Sequence, residues 1–359
     1  MSAVLSGVAL VALVLQSTLL VLLLKYAQVS AAAAGERPYL KTTVILAAEA
    51  TKFVCSLALY QHEQRQLART SLASPARSLG DLMFGRGSQW PKLAVPAVLY
   101  FVQNLLLYAA AERLDSATFQ VLAQSKLLTT AAFSALMLGR RLSSPRIIAL
   151  VVLTAGIALV QLPSSQSGRA ATPQQQPPPQ TTQSPWSPKA PAGSVAPAAS
   201  ADTDRTVGLV YVMLASTLSG LSGVWFEKVV KESRASLWLR NMQLALFTMP
   251  FGIFSLAYMD GRSVLQHGAF QGFNIWTVCI VILQAMGGLI VAMVVKHADN
   301  IVKGFATCIS IILSSALSVW LFGKQLSSTF LVGVALVVAS TLMYARAGMA
   351  PHLRKGKQL

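Results

Sequence analysis

Charge is scarce in this sequence. Its 29 Lys and Arg and 12 Asp and Glu make up 11% of 359 residues, whereas soluble domains carry about 25%. A soluble globular protein is excluded on that ground. Cysteine is nearly absent: Cys55, Cys279 and Cys308 each lie in an apolar run with no metal-ligand spacing, so neither a disulfide framework nor a zinc site is readable. The four asparagines never begin Asn-X-Ser/Thr, which excludes N-glycosylation at such sites. HExxH, GxSxG, a phosphate-binding loop and an acidic metal motif are all missing, and the four histidines are scattered. No catalytic residue, metal ligand or cofactor is therefore expected.

What is present is apolar length. Hydrophobic residues are 54% of the chain and mean hydropathy is +0.57. Ten runs are long enough to cross a bilayer as helices at about 20 residues each: 1–24, 42–60, 93–111, 116–139, 147–162, 206–226, 241–258, 275–295, 303–323 and 325–345. They are too long and too continuously apolar for barrel strands. The fold class expected is an all-α membrane protein, with the lipid bilayer as one partner. The net charge of +17 sits in basic clusters between the runs. It reports the positive-inside bias rather than a nucleic-acid surface. Outside the spans, seventeen Lys and Arg fall on one side and nine on the other, which places both termini in the cytosol.

Composition breaks at Pro163, and nine of the sixteen prolines lie between there and Asp204. Such a Pro/Gln/Ser-rich stretch cannot bury enough apolar surface to fold. The division expected is 1–162 as a first five-helix repeat, 163–205 as a disordered luminal linker, 206–346 as a second repeat and 347–359 as a basic cytosolic tail. The halves resemble each other. At a shift of 184, LMLGRRLSS (Leu136–Ser144) falls on WLFGKQLSS (Trp320–Ser328), Asp115 on Asp299 and Ser134 on Ser318. Five spans are an odd number, so the second half enters the membrane from the opposite side. That is an inverted-topology repeat, the plan of many transporters, with cargo near the midplane and access alternating between the two sides.

Ionisable residues inside spans are costly, and they tend to face a partner or a wet cavity. Lys126 lies about ten residues into its run, ~15 Å deep at 1.5 Å per residue, with Phe119, Ala123, Thr130 and Ser134 on its face. Lys303 opens the ninth run, followed at helical spacing by Thr307, Ser310, Ser314 and Ser318. An anion-binding cavity is the favoured reading of both; a structural ion pair, a snorkelling side chain or a polar packing seam is the other. The repeat sets Lys303 against Phe119 and Lys126 against Ser310, so the two lysines are not equivalent in the repeat. Two such cations suit a cargo with two phosphates. Glu49 and Lys52 share a helix face, either as an internal ion pair or as a wall for sugar hydroxyls. Gln103 with Asn104, and Asn241 with Gln243, either read a nucleobase edge or join helices. Gly287 and Gly288 allow close helix approach or a flat ligand.

These residues resemble the nucleotide-sugar transporter family of the Golgi, within the drug/metabolite transporter superfamily. The segments that carry the resemblance include YLKTTVILAAEATKF (Tyr39–Phe53), LDSATFQVLAQSKLLTTAAFS (Leu114–Ser134), SGVWFEKVVKES (Ser222–Ser233) and QAMGGLIVAMVVKHADNIVKGFAT (Gln284–Thr307). The resemblance is to the branch that carries UDP-galactose, UDP-N-acetylglucosamine and CMP-sialic acid. It implies ten helices, exchange of a nucleotide sugar for a nucleoside monophosphate, and multi-pass residence in the Golgi membrane; the endoplasmic reticulum is a second address if the basic tail is a retrieval signal. It implies that Lys126 and Lys303 bind phosphates, that Gln103, Asn104, Phe119 and Asn241 surround base and ribose, and that Glu49 and Lys52 lie toward the sugar. The sequence departs from the branch where Leu105 follows Gln103-Asn104, at Ala123-Gln124-Ser125-Lys126, and at Phe119, where the sialic-acid branch has Tyr. UDP-galactose with UMP is the cargo expected, UDP-N-acetylglucosamine or CMP-sialic acid the alternative, and a membrane-embedded enzyme on nucleotide sugars the alternative of another class. A homodimer and coat-protein recognition of the tail complete the expected partners. Lys355 and Lys357 resemble a retrieval signal, the alternative being a basic tail beside an anionic leaflet.

Overall fold

The computed structural model describes residues 2–33, 37–69, 79–85, 90–140, 142–161, 198–232, 235–322 and 328–355. Most of the expected linker (163–197 of 163–205), and the tail's last residues with Lys357, lie outside the described residues. All regular structure among the described residues is helical: α1 Ser2–Ala33, α2 Lys41–Arg69, α3 Leu79–Phe84, α4 Pro91–Ala111, α5 Ser116–Ala123, α6 Lys126–Leu138, α7 Ser144–Gln161, α8 Ala198–Glu232, α9 Leu237–His267, α10 Ile275–His297, α11 Asn300–Phe322 and α12 Ser328–Lys355. Ten stretches are long and apolar enough to cross a membrane, α5 and α6 together making one of them. Large apolar side chains such as Leu136, Tyr258 and Leu265 are 78–90% exposed, the outward faces expected of helices in lipid.

Four details depart from the sequence reading. The run 116–139 is two helices. Short i→i−3 bonds, from Ser125 N to Leu122 O and from Leu127 N to Gln124 O (both 3.0 Å), tighten the chain at Gln124–Ser125 and interrupt the α-helical ladder. Residues 198–205, assigned to the linker, form the first turns of α8, and residues 347–355, assigned to the tail, continue α12. The short α3 falls in what reads as a loop.

Three pairs of helix starts stand 184 residues apart. α4 and α10 begin at Pro91 and Ile275, α5 and α11 at Ser116 and Asn300, and α7 and α12 at Ser144 and Ser328, each pair 184 apart. The caps match as well. Asp115 accepts from Thr118 N at 2.9 Å and Asp299 from Val302 N at 2.7 Å, a side-chain cap on an otherwise unsatisfied first-turn donor. α1 and α8, and α2 and α9, begin 196 apart. The halves therefore differ in spacing between α2 and α4, where α3 sits.

The chain divides into two compact units, 1–101 with 225–306 and 102–224 with 307–359; α4, α8 and α11 each contribute to both. In the first unit α2 packs on α9 and α10, and α1 on α10. Ala27, Val44, Ala48, Ile280 and Val281 form one buried cluster there, and Leu93, Phe226, Val229, Leu237 and Val295 part of another. Thr42 Oγ1 donates to Asp260 (2.5 Å), and Thr43 Oγ1 to Ala269 O (2.8 Å), tying one end of α2 to the end of α9. In the second unit α7 and α12 form the largest helix pair. A Cβ on Gly333 would stand 2.7 Å from Gly156 O, so the two backbones meet with no space for a side chain. Ala149, Leu150, Leu153 and Ile157 are buried along the same helix. α8 reaches its neighbour through Gly220, whose Cβ would meet the Thr129–Thr130 backbone at 2.8 Å.

Candidate functional site

In the first unit, the Glu49 carboxylate on α2 takes the Lys52 ammonium at 2.6 Å and the Thr248 hydroxyl of α9 at 2.6 Å. The three-residue spacing brings Glu49 and Lys52 onto one face, and the ion pair expected as one of two readings is formed. Lys52 is buried, and its stem lies along α10: a Cβ on Gly288 would come 2.8 Å from Lys52 Cδ. Gly287 is filled by the Gln16 side chain, whose amide donates to Leu283 O at 2.9 Å. The two glycines thus make room for side chains of α2 and α1. Lysine keeps three donor hydrogens, so this pair retains hydrogen-bonding capacity toward a polar partner.

Asn241 is buried on α9, and among the described residues its Nδ2 has no hydrogen-bond partner. Its neighbour Gln243 has a structural task. Gln243 Oε1 accepts from Arg240 at 2.8 Å and its Nε2 donates to Met83 O at 2.9 Å, docking α3 on α9. Lys303 stands on the first turn of α11, one turn beyond Asn300. The Asn300 N–H donates to the Glu227 carboxylate of α8 at 3.0 Å, and that carboxylate also takes Lys231 at 2.7 Å.

In the second unit, Gln103 and Asn104 are consecutive on α4, and Gln103 Oε1 and Asn104 Oδ1 have no hydrogen-bond partner among the described residues. Leaving a buried polar atom unsatisfied costs about 1–3 kcal/mol, so these atoms mark places that favour a polar ligand. Phe119 lies on α5 beside the buried cluster of Ala110, Leu114, Ala123 and Val212. Lys126 is the first residue of α6, immediately after the break. Gln124 is buried at that break, and its amide donates to Gln161 Oε1 of α7 at 3.1 Å. Thr129 and Thr130 return their hydroxyls to Lys126 O at 3.1 and 2.7 Å. Ser310, Ser314 and Ser318 are buried along α11, as is Ser134 on α6, whose Oγ has no hydrogen-bond partner among the described residues.

The structure therefore brings Glu49 together with Lys52, and Gln103 beside Asn104. It sets Lys126 within a span, directly after the tightened turn at Gln124–Ser125, where an ammonium favours an anionic partner. Thr248, Gln124, Gln161, Glu227 and Lys231 were missed in the sequence. Of these only Glu227–Lys231 carried a signal, the i,i+4 spacing of an intrahelical ion pair. No group of three His, Cys, Asp or Glu that could hold a metal occurs among the described residues.

A family model described as nucleotide-sugar transporter matches residues 1–345. A UDP-N-acetylglucosamine transporter of Rattus norvegicus is 40% identical over 345 residues, covering 96% of each chain. A UDP-galactose transporter of Schizosaccharomyces pombe is 38% identical over 349 residues, 97% of this chain and 90% of that one. A solved crystal structure superposes with a TM-score of 0.57 at 14% identity, covering 93% of this chain and 94% of the other, and so shares the fold.

Proposed function

The chain belongs to the nucleotide-sugar transporter family, and we propose that its cargo is a UDP-sugar, moved from the cytosol into the Golgi lumen in exchange for UMP. The observation that carries this is the break before Lys126. A lysine deep inside a span, directly after a tightened turn, is a place for phosphate oxygens. Lys303 supplies the second cation on α11. Gln103 and Asn104, whose buried oxygens have no hydrogen-bond partner among the described residues, accept from the N–H groups of a nucleobase, and Asn241 Nδ2 is a further donor available to the cargo. Phe119 offers a ring to base or ribose. The Glu49–Lys52–Thr248 group lies toward the sugar.

The repeat offset in the helix starts supports two inverted five-helix halves, and with them alternating access. A single carrier that must bind phosphate on both faces suits exchange, because loaded cations re-orient at lower cost than bare ones.

UDP-galactose and UDP-N-acetylglucosamine are the two cargoes to separate. The sequence reading favours the first, and a 40% identical relative is named for the second. Purified protein in sealed vesicles loaded with UMP should take up labelled UDP-galactose, UDP-N-acetylglucosamine or both, recovered intact, and leave CMP-sialic acid outside. Uptake of CMP-sialic acid alone would overturn the assignment, and hydrolysed product would favour an enzyme.

A further inference from the structure

Glu227 is the one fully buried carboxylate among the described residues, at 0% exposure, and the binding scheme above gives it no task. One of its oxygens takes the Lys231 ammonium at 2.7 Å and the other takes the Asn300 N–H at 3.0 Å. Lys231 also donates to Ala298 O at 2.5 Å. Together the two side chains clamp the connection from α10 to α11, and the first N–H of α11, onto α8. A carboxylate at a helix N-terminus is well placed, yet Asp299 already caps this one through Val302 N at 2.7 Å. A second, wholly buried carboxylate is more than a cap requires, because a buried charge is retained at a desolvation cost that only good partners offset.

The residue that gives it a purpose is Lys303. It follows Asn300 by three positions, on the same side of the first turn, and so stands one turn from the N–H that Glu227 holds. The corresponding place in the first half, 184 earlier, holds Phe119, behind an Asp cap of the same form. The second half thus combines a lysine with a carboxylate brought in from α8.

We propose, resting on the phosphate role given to Lys303 above, that Glu227 is a positioning residue. It is the counter-charge of Lys303, and cargo phosphate competes with it for that ammonium. Between cargoes the carboxylate compensates the lysine and holds the first turn of α11 to α8. When phosphate takes over Lys303, that attraction weakens and the first turn is freed to move. The carboxylate thereby keeps phosphate binding weak enough for release on either side.

The test uses the full chain in sealed vesicles, as wild type, Glu227→Gln, Lys303→Gln and the double variant, with UMP and UDP-N-acetylglucosamine as probes and rates normalised to folded protein. Glutamine keeps an oxygen for Asn300 N–H but removes the charge. Glu227→Gln should lower the half-saturating UMP concentration about fivefold and slow maximal exchange by a similar factor, a split between binding and turnover that a purely structural role would not give. In the Lys303→Gln background the same substitution should leave half-saturation unchanged, since the coupling runs through that lysine. Unchanged half-saturation in Glu227→Gln, or an equal change in both backgrounds, overturns the proposal. If Glu227→Gln does not fold, the double variant decides. Restored folding supports an uncompensated Lys303 as the cause, and failure to restore it overturns the proposal. Wild-type protein that exchanges neither probe overturns the transport reading along with this one, whereas wild-type exchange indifferent to Glu227 overturns only this one.

Discussion

The fourth and ninth spans start and end 184 residues apart, and each carries a lysine in a different place. Both begin after an aspartate that caps the helix through the residue three further on, and both end 184 residues apart, at Leu138 and Phe322. The fourth breaks at Gln124–Ser125 and puts Lys126 at the new helix start. The ninth runs unbroken, with Lys303 in its first turn near the buried carboxylate of Glu227. A lysine in a span needs compensation. The fourth span sets its lysine directly after a tightened turn, and the ninth sets its lysine one turn from the N–H held by a buried carboxylate of another helix. Helix start and end therefore follow the 184-residue offset, while the two lysines fall at different positions along their spans.

The largest expected effect tests the shared premise of this comparison. Lys126→Ala and Lys303→Ala should each reduce UDP-sugar exchange at least about a hundredfold in folded protein. Loss of a charged hydrogen-bonding group at a buried site commonly costs several kcal/mol of binding. Wild-type uptake by either variant at normal abundance would remove that lysine from the scheme. Lys126→Arg should recover only a small part of the rate, because the guanidinium keeps the charge but presents a planar fork.

Next in size is a change that touches the fourth span alone. Gln124→Ala leaves Gln161 without its partner and loosens the break, so exchange should fall about tenfold while folding weakens by about 1–3 kcal/mol. Measuring both in one preparation sharpens the contrast, for a thermal shift without loss of exchange would show that the break does not position Lys126.

A smaller effect is expected where α10 makes room for Lys52. Gly288→Ala sets a methyl 2.8 Å from Lys52 Cδ, the flexible part of a side chain, so the stem should shift and the protein should fold. Half-saturation for the UDP-sugar should rise about threefold with little change in maximal rate, the pattern of altered uniform binding. The same rise for free UMP would place this pair away from the sugar. Smallest are the matched caps: Asp115→Ala and Asp299→Ala should each cost about 1 kcal/mol of stability. Unequal losses in thermal unfolding would show that the two helix starts are less alike than their geometry suggests.

Much of the fold was legible because a bilayer demands length and apolarity, and both are properties of composition over a window. Ten runs, the 184-residue offset and the paired aspartates all reappear as helix starts and caps. The break before Lys126 was not legible. Ala123-Gln124-Ser125-Lys126 contains neither glycine nor proline, while Pro96 and Pro250 lie inside helices that continue through them. The helix there yields to partners from elsewhere, Gln161 among them, that no local pattern reveals. The candidate residues were legible as polar types in apolar runs, but their partners were not. Thr248 approaches Glu49 across 199 positions and Asn300 approaches Glu227 across 73, distances at which sequence spacing carries no information.

The central claim is that this chain exchanges a UDP-sugar for UMP, and trans-stimulation tests it most directly. Purified protein is placed in sealed vesicles that are either empty or preloaded with UMP, and the initial uptake of labelled UDP-galactose and UDP-N-acetylglucosamine is compared. The account predicts uptake at least about tenfold faster into UMP-loaded vesicles, because the loaded carrier re-orients at lower cost than one with bare lysines. Equal uptake into empty and loaded vesicles would contradict exchange, and no uptake of either sugar into loaded vesicles would contradict the claim itself.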